Sequence, residues 1–192
     1  FLPPFMNGRA LENIKPALNF FDGVYCDGYW AEQFCCELNI KLFAGTGFNI
    51  ANSLSLSQVK ADYVALSKEI TLAEARPLSG ENTFYLTAGD IKVMDIIYCP
   101  FGKTCKTCDM RDCYSLTDED DRIFPLRRYK AGECRFELFN CANLISPQNF
   151  TGALADCTLC DPPKVLSALN DGEKLKKIFK SYTSGHAKNP VL

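Results

Sequence analysis

Two periods of apolar and polar positions divide the chain. In the first half, Leu11, Ile14, Leu18 and Phe21 recur near helical spacing and predict a helix over Leu11 to Phe20, weakened by Pro16. Gly23 to Asp27 is a short apolar run closed by a polar residue, as in a buried strand. A helix from Tyr29 to Leu38 and a strand from Ile40 to Ala44 follow. Gly45-Thr46-Gly47 then leads to a helix near Ile50 to Leu56, and Asp62 to Leu66 is a third strand. Thr71 and Glu74 have capping-box spacing and open a short helix that Pro77 closes. Phe84 to Leu86 is a fourth strand, and Ile91 to Tyr98 another.

Strands alternating with helices at about twenty-residue intervals predict βαβ units and a parallel sheet. These strands end at Asp27, Thr46 and Ser67, and ligands gather at the carboxyl ends of parallel strands. After Cys113 the pattern changes. Tyr114 to Thr117, Ile123 to Tyr129 and Cys134 to Cys141 predict three antiparallel strands, turned at Asp118 to Asp121 and at Ala131-Gly132. The acidic turn lacks the glycine and closing glutamate of a calcium loop and reads as a solvated turn. Asp156 to Asp161 predicts one more strand before Pro162-Pro163. An amphipathic helical tail follows, with Val165, Leu169 and Leu175 inward and Lys174, Lys176 and Lys177 outward. The expected class is therefore α/β in three parts: βα repeats over 1–98, a cysteine-rich antiparallel β insert over 99–145, and a final strand with a helical tail over 146–192.

Size and charge narrow this only a little. A chain of 192 residues can bury a sizeable core, and a net charge of −2 gives no global case for nucleic acid. No apolar run approaches the ~20 residues of a membrane helix, so no membrane partner is expected. The start, FLPPFMNGRA, lacks a basic region followed by an apolar one, and reads as the middle of a longer chain rather than a signal peptide.

Cysteine changes the picture more. There are eleven, an odd number, and four of them, Cys99, Cys105, Cys108 and Cys113, crowd the stretch from Tyr98 to Leu116. That stretch has too few aliphatic residues to build its own core, so a metal or disulfides must hold it. Disulfide scaffolds are usually shorter than ~100 residues and secreted, so reduced thiols and a cytoplasmic setting are expected. Cys105 and Cys108 have knuckle spacing, with Lys103, Lys106 and Arg111 nearby to favour thiolates. Cys157 and Cys160 form a second knuckle, far along the chain for a zinc ribbon. Cys26, Cys35 and Cys36 fall in strand and helix patterns and read as small buried hydrophobes.

One histidine, His186, excludes a two-histidine metalloprotease and leaves it as the only histidine for any catalytic triad. Its place after Gly185 reads as an exposed tail position. No nucleophile elbow, P-loop or dinucleotide fingerprint occurs. The acid–base candidates are Asp27, Glu69 and Asp161, each just after a predicted strand.

The segments GTGFNIANS (45–53), ALSKEIT (65–71), IYCPFG (97–102) and YSLTD (114–118) resemble the collagenase-like peptidase family, type U thirty-two. So do FPL (124–126), Cys134-Arg135, NCANL (140–144), TSGH (183–186) and NPV (189–191). The resemblance implies a partial (β/α) TIM-type barrel carrying the β insert, with the rest of the barrel supplied by the longer chain. It implies a peptidase acting on a protein or peptide substrate, with Asp27, Asn49, Ser67 and Glu69 at the barrel mouth. Glu69 would be the general base, and Ser67 or a metal-bound water the nucleophile. Thr46, Asn49 and Lys68 would bind substrate. Other members of the family hydroxylate RNA bases or a quinone with a four-cysteine iron–sulfur cluster. Here Cys99, Cys105, Cys108 and Cys113, with Cys134 and Cys141 as alternates, are the corresponding candidates for a 4Fe-4S cluster or zinc. The remaining alternative is a non-catalytic fragment whose cysteines only tether the insert, with open sheet edges that invite a homodimer.

Overall fold

Side-chain caps decide where the early helices start. The computed structural model describes residues 1–102, 105–106, 108–146 and 150–188. Lys103 of the knuckle and the 189–191 segment of the resemblance lie outside them. Asn7 accepts a hydrogen bond from the Ala10 N–H at 2.9 Å, so helix α1 (Gly8–Leu18) begins three residues before the apolar period does and runs through Pro16. Strand β1 (Gly23–Cys26), helix α2 (Trp30–Leu38) and strand β2 (Lys41–Ala44) follow in the expected order. The predicted helix from Ile50 is displaced. A 3-10 turn occupies Thr46–Phe48, and Asn52 with Ser55 forms a capping box that starts α3 (Ser53–Gln58). Ile50 is instead buried and bridged to Leu66. Strand β3 (Tyr63–Ala65) leads to the Thr71–Glu74 capping box, which forms as predicted and opens α4 (Leu72–Ala75). Strand β4 (Thr83–Gly89) is the longest of the first sheet.

The next four strands are β5 (Lys92–Ile96), β6 (Cys113–Thr117), β7 (Ile123–Ala131) and β8 (Glu133–Phe139). The chain then forms β9 (Asn143–Ile145), β10 (Ala153–Asp156), α5 (Pro162–Ser167), α6 (Gly172–Ile178) and β11 (Tyr182–Thr183). Strands β1, β2, β3 and β4 are parallel neighbours, and β10 runs parallel to β4. Strand β9 joins β4 antiparallel, and β11 lies parallel to β9. A second, wholly antiparallel sheet has the order β5-β8-β7-β6. The protein is thus mixed α/β, a largely parallel sheet beside an antiparallel one. Among the described residues no closed barrel forms.

Three further expectations about strands and the tail are corrected. Ile91 to Tyr98 supplies β5 to the antiparallel sheet, because Met94, Asp95 and Ile96 pair with Leu138, Glu137 and Phe136. The strand predicted over Asp156 to Asp161 ends at Asp156, where carboxylates capture the next backbone N–H groups. The helical tail is two helices, restarted where the Asp171 side chain accepts from Lys174 N.

The main core lies between the parallel sheet and helices α1 to α4, with Leu42, Phe48, Ile50 and Leu66 buried at its centre. Each such side chain contributes about 1.5–3 kcal/mol by leaving water. Val165 and Leu175 pack α5 and α6 beside Ala88. Ile96, Leu126 and Phe136 form a smaller core on the second sheet. Cys26 and Cys35 are buried as expected, but Cys36 is exposed, since neighbouring helical positions face roughly 100° apart. Among the described residues, no helix is long and apolar enough to cross a membrane.

Candidate functional site

The carboxyl ends of the parallel strands open onto a cavity of about 380 Å³. Tyr25, Asp27, Lys68, Lys92, Glu137 and Asp156 are among its walls. Both sheets contribute, since Lys92 and Glu137 come from β5 and β8.

Asp27 follows β1 directly and is fixed by the loop after β2. Gly47 N donates to Asp27 Oδ1 at 3.0 Å, and Tyr25 Oη donates to the same atom at 3.3 Å. The loop can approach this closely only with glycine at 45, where a Cβ would collide with the Asp27 carboxylate and the Tyr25 ring. The Gly45-Thr46-Gly47 sequence thus folds over Asp27.

Lys92 joins the two sheets electrostatically. Its Nζ lies 3.1 Å from Asp27 Oδ2, 3.1 Å from Asp95 Oδ2 and 3.8 Å from Glu137 Oε1. Arg127 Nη1 also meets Glu137 Oε2 at 3.0 Å. Burial would lower the Lys92 pKa, but Asp27 and Asp95 outweigh it and hold the ammonium above the ordinary lysine range. Burial pushes the Glu137 carboxyl up, opposed by Lys92 and Arg127.

Lys68 differs from Lys92. Its Nζ donates to the Lys92 carbonyl, and among the described residues no carboxylate lies within ion-pair range of it. Burial, and then the Lys92 charge, lower its pKa. Burial raises the pKa of Asp156, against the hydrogen bonds its Oδ1 accepts from Thr158 N at 2.9 Å and Thr158 Oγ1 at 2.6 Å. The cavity therefore holds an amine and a carboxyl that burial drives toward their neutral forms, the pattern of an acid–base site.

The structure gathers Asp27, Thr46 and Lys68 at this cavity. Ser67 is buried behind it, where its hydroxyl donates to Asn49 Oδ1 at 2.5 Å and accepts from Glu69 N at 3.2 Å. Ser67 ties two loops together and is not among the cavity walls. Asn49 is exposed in a left-handed conformation. Glu69 is exposed and lines a neighbouring cavity with His186. Asp161 caps α5, accepting from Lys164 N, at an exposed position. Lys92, Glu137 and Asp156 were missed. A strand-end rule reaches Asp156 once β10 is seen to stop there. Lys92 and Glu137 carry no local signal, since only the pairing of β5 with β8 brings them together.

The cysteines disperse more than their spacing implies. Cys99, Cys105 and Cys113 are exposed, and Cys108, Cys134 and Cys141 half-buried. Among the described residues, no three cysteine, histidine or carboxylate side chains come together as a metal-holding group. No family model matches this chain, and neither a curated protein nor a solved structure does.

Proposed function

We propose that this chain carries the acid–base half of a hydrolase that cleaves a peptide or related amide bond in the two-sheet cavity. One observation supports the reading: Lys68 and Asp156 share a 380 Å³ cavity, and burial moves both toward neutrality. The peptide substrate class rests on the family resemblance of 45–53 and 65–71. The neutral Lys68 amine takes a proton from water as that water attacks the carbonyl carbon. The protonated Asp156 carboxyl delivers a proton to the departing amine nitrogen. Lys92, held cationic by Asp27 and Asp95, favours the oxyanion that forms between these steps. The parallel run of β1 to β4 continued by β10 is what a partial (β/α) barrel would present, with further strands supplied by a longer chain.

The test is cleavage of denatured collagen by the full-length protein. Asp156→Asn is expected to lose cleavage while raising the unfolding midpoint at neutral pH. The amide keeps an acceptor for Thr158, and it removes a charge whose burial is unfavourable. A carboxyl raised in the fold weakens stability above its folded pKa, and the penalty fades as pH falls through that value. The gain over wild type should therefore shrink on acidification. Glu69→Ala is expected to leave cleavage unchanged. Activity lost in Glu69→Ala but kept in Asp156→Asn would move the chemistry to the neighbouring cavity.

A second reading, cluster-dependent hydroxylation of an RNA base or a quinone, is favoured by Arg128. Its guanidinium donates to the Met110 and Arg111 carbonyls at 2.6 and 2.7 Å and reaches Cys134 Sγ at 3.7 Å. It thereby draws the segment between Cys108 and Cys113 toward the strand of Cys134. Anaerobic purification separates the readings. Visible cluster absorbance that disappears in Cys99→Ala favours hydroxylation. Colourless, zinc-loaded protein favours a tether, and sedimentation of the same sample reports whether the exposed edge at β6 recruits a second copy.

A further inference from the structure

Cys157 and Cys160 have no part in the acid–base chemistry, yet they lie in a turn held by side-chain hydrogen bonds. Two carboxylates hold that turn. Asp156 Oδ1 takes both donors of Thr158, and Asp90 Oδ2 accepts from Leu159 N at 2.6 Å and Cys160 N at 3.2 Å. Asp90 is only 5% exposed. Its second oxygen accepts from the Cys160 thiol at 3.0 Å and from Asn143 Nδ2 at 2.9 Å. Asn143 Nδ2 also lies 3.4 Å from Cys160 Sγ. Gly89 makes this possible. Its positive φ of 102° turns the backbone so that Asp90 N meets the Asp156 carbonyl at 2.7 Å, where a Cβ at residue 89 would collide with that carbonyl. Cys157, three residues before Cys160, lines the 380 Å³ cavity.

Both thiols also pack against the apolar cluster that holds Val165 and Leu175, as small fillers would. Packing alone does not call for a buried carboxylate aimed at one thiol while the other opens to a cavity. We propose that Cys157 and Cys160 are a redox dithiol that exchanges with small disulfides entering the cavity, Asp90 serving as the proton acceptor of Cys160. Burial, then Asp156 and Asp90, raise the Cys157 pKa, so it is the minor thiolate fraction of Cys157 that attacks a disulfide RSSR, forming a Cys157–SR mixed disulfide and releasing RS⁻, which leaves as RSH with the proton Cys157 gave up. Cys160 then passes its proton to Asp90 and attacks the Cys157 sulfur. The Cys157–Cys160 bond forms, the second RS⁻ departs and takes the Asp90 proton. Two protein thiols are oxidised and RSSR is reduced to two RSH. The proposal stands apart from the hydrolase reading, since it needs only this turn and access through the cavity.

The probe is glutathione disulfide, applied to the reduced chain and followed by alkylation and peptide mass mapping. Wild type is expected to lose two hydrogens within the tryptic peptide Phe136–Lys164. Fragment ions must place the bond between 157 and 160, because Cys141 lies in the same peptide. Cys160→Ser should stop at glutathionylated Cys157, and Asp90→Asn should accumulate that mixed disulfide. A circular dichroism melt of each variant checks that it folds, and the wild-type map decides alone if one does not. Cys157 and Cys160 both recovered alkylated, with oxidation confined to exposed Cys36, Cys99, Cys105 or Cys113, would overturn the proposal.

Discussion

Lys68→Met is expected to lower kcat on denatured collagen by about 10²–10⁴-fold, the usual worth of a positioned general base. Lys68→Arg should be nearly as poor, because a guanidinium stays charged and cannot accept the proton. The pH profile identifies the cause. The proposed mechanism needs a neutral Lys68 amine, so on it activity should rise with pH through a value below the ordinary 10.5 of lysine. It also needs a protonated Asp156, so activity should fall above a value higher than the ordinary 3.8 of aspartate. The result is a bell whose rising limb vanishes in the residual activity of Lys68→Met and whose falling limb vanishes in that of Asp156→Asn. Full kcat with only a raised KM in Lys68→Met would reduce Lys68 to substrate binding.

Removing the other lysine should damage the fold as well as the chemistry. Lys92→Met leaves Asp27, Asp95 and Glu137 facing one another without their shared cation, and the side chains of Asp27 and Glu137 are only 7% and 2% exposed. Breaking a buried ion pair from one side costs about 3–5 kcal/mol. Urea unfolding at neutral pH should read this as a lower midpoint, with the slope unchanged if the transition stays two-state. The pH dependence has a definite sign. The Lys92 pKa is raised in the fold, so its contribution is complete below the unfolded value of 10.5 and is lost as pH climbs through the higher folded value. On the alkaline side, wild type and variant should therefore converge only in strong alkali. An unchanged midpoint at neutral pH would show that the two sheets are held together by packing alone. A lowered midpoint in Lys92→Met with a normal midpoint in Lys68→Met would show that only Lys92 holds the two sheets together.

Much of the parallel half was legible along the chain. Its strands are short apolar runs, and the Thr71–Glu74 cap forms where its spacing put it. Asp27 and Thr46 reach the cavity because strand ends in a parallel sheet share one side. Ser67 obeys the same strand-end rule and still faces away. Its hydroxyl is satisfied by Asn49, a contact set by a left-handed turn at 49 that no period encodes. Ile91 to Tyr98 was recognisable as extended but not assignable to a sheet. A strand's alternation says which residues share a face and is silent about its neighbour.

The one-dimensional pattern was thus enough for the α/β class, for the change of period after Cys113, and for placing Asp27 and Thr46 on one side of the parallel sheet. These follow from local rules: burial period, caps and turn residues act over a few neighbours. Which charges meet was left to packing. Lys92 and Glu137 are adjacent only because β5 pairs with β8, and Asp90 and Cys160 only because Gly89 folds β4 against the end of β10. Charge interactions in a buried site depend on distance and desolvation, and both arise when the sheets close over the cavity.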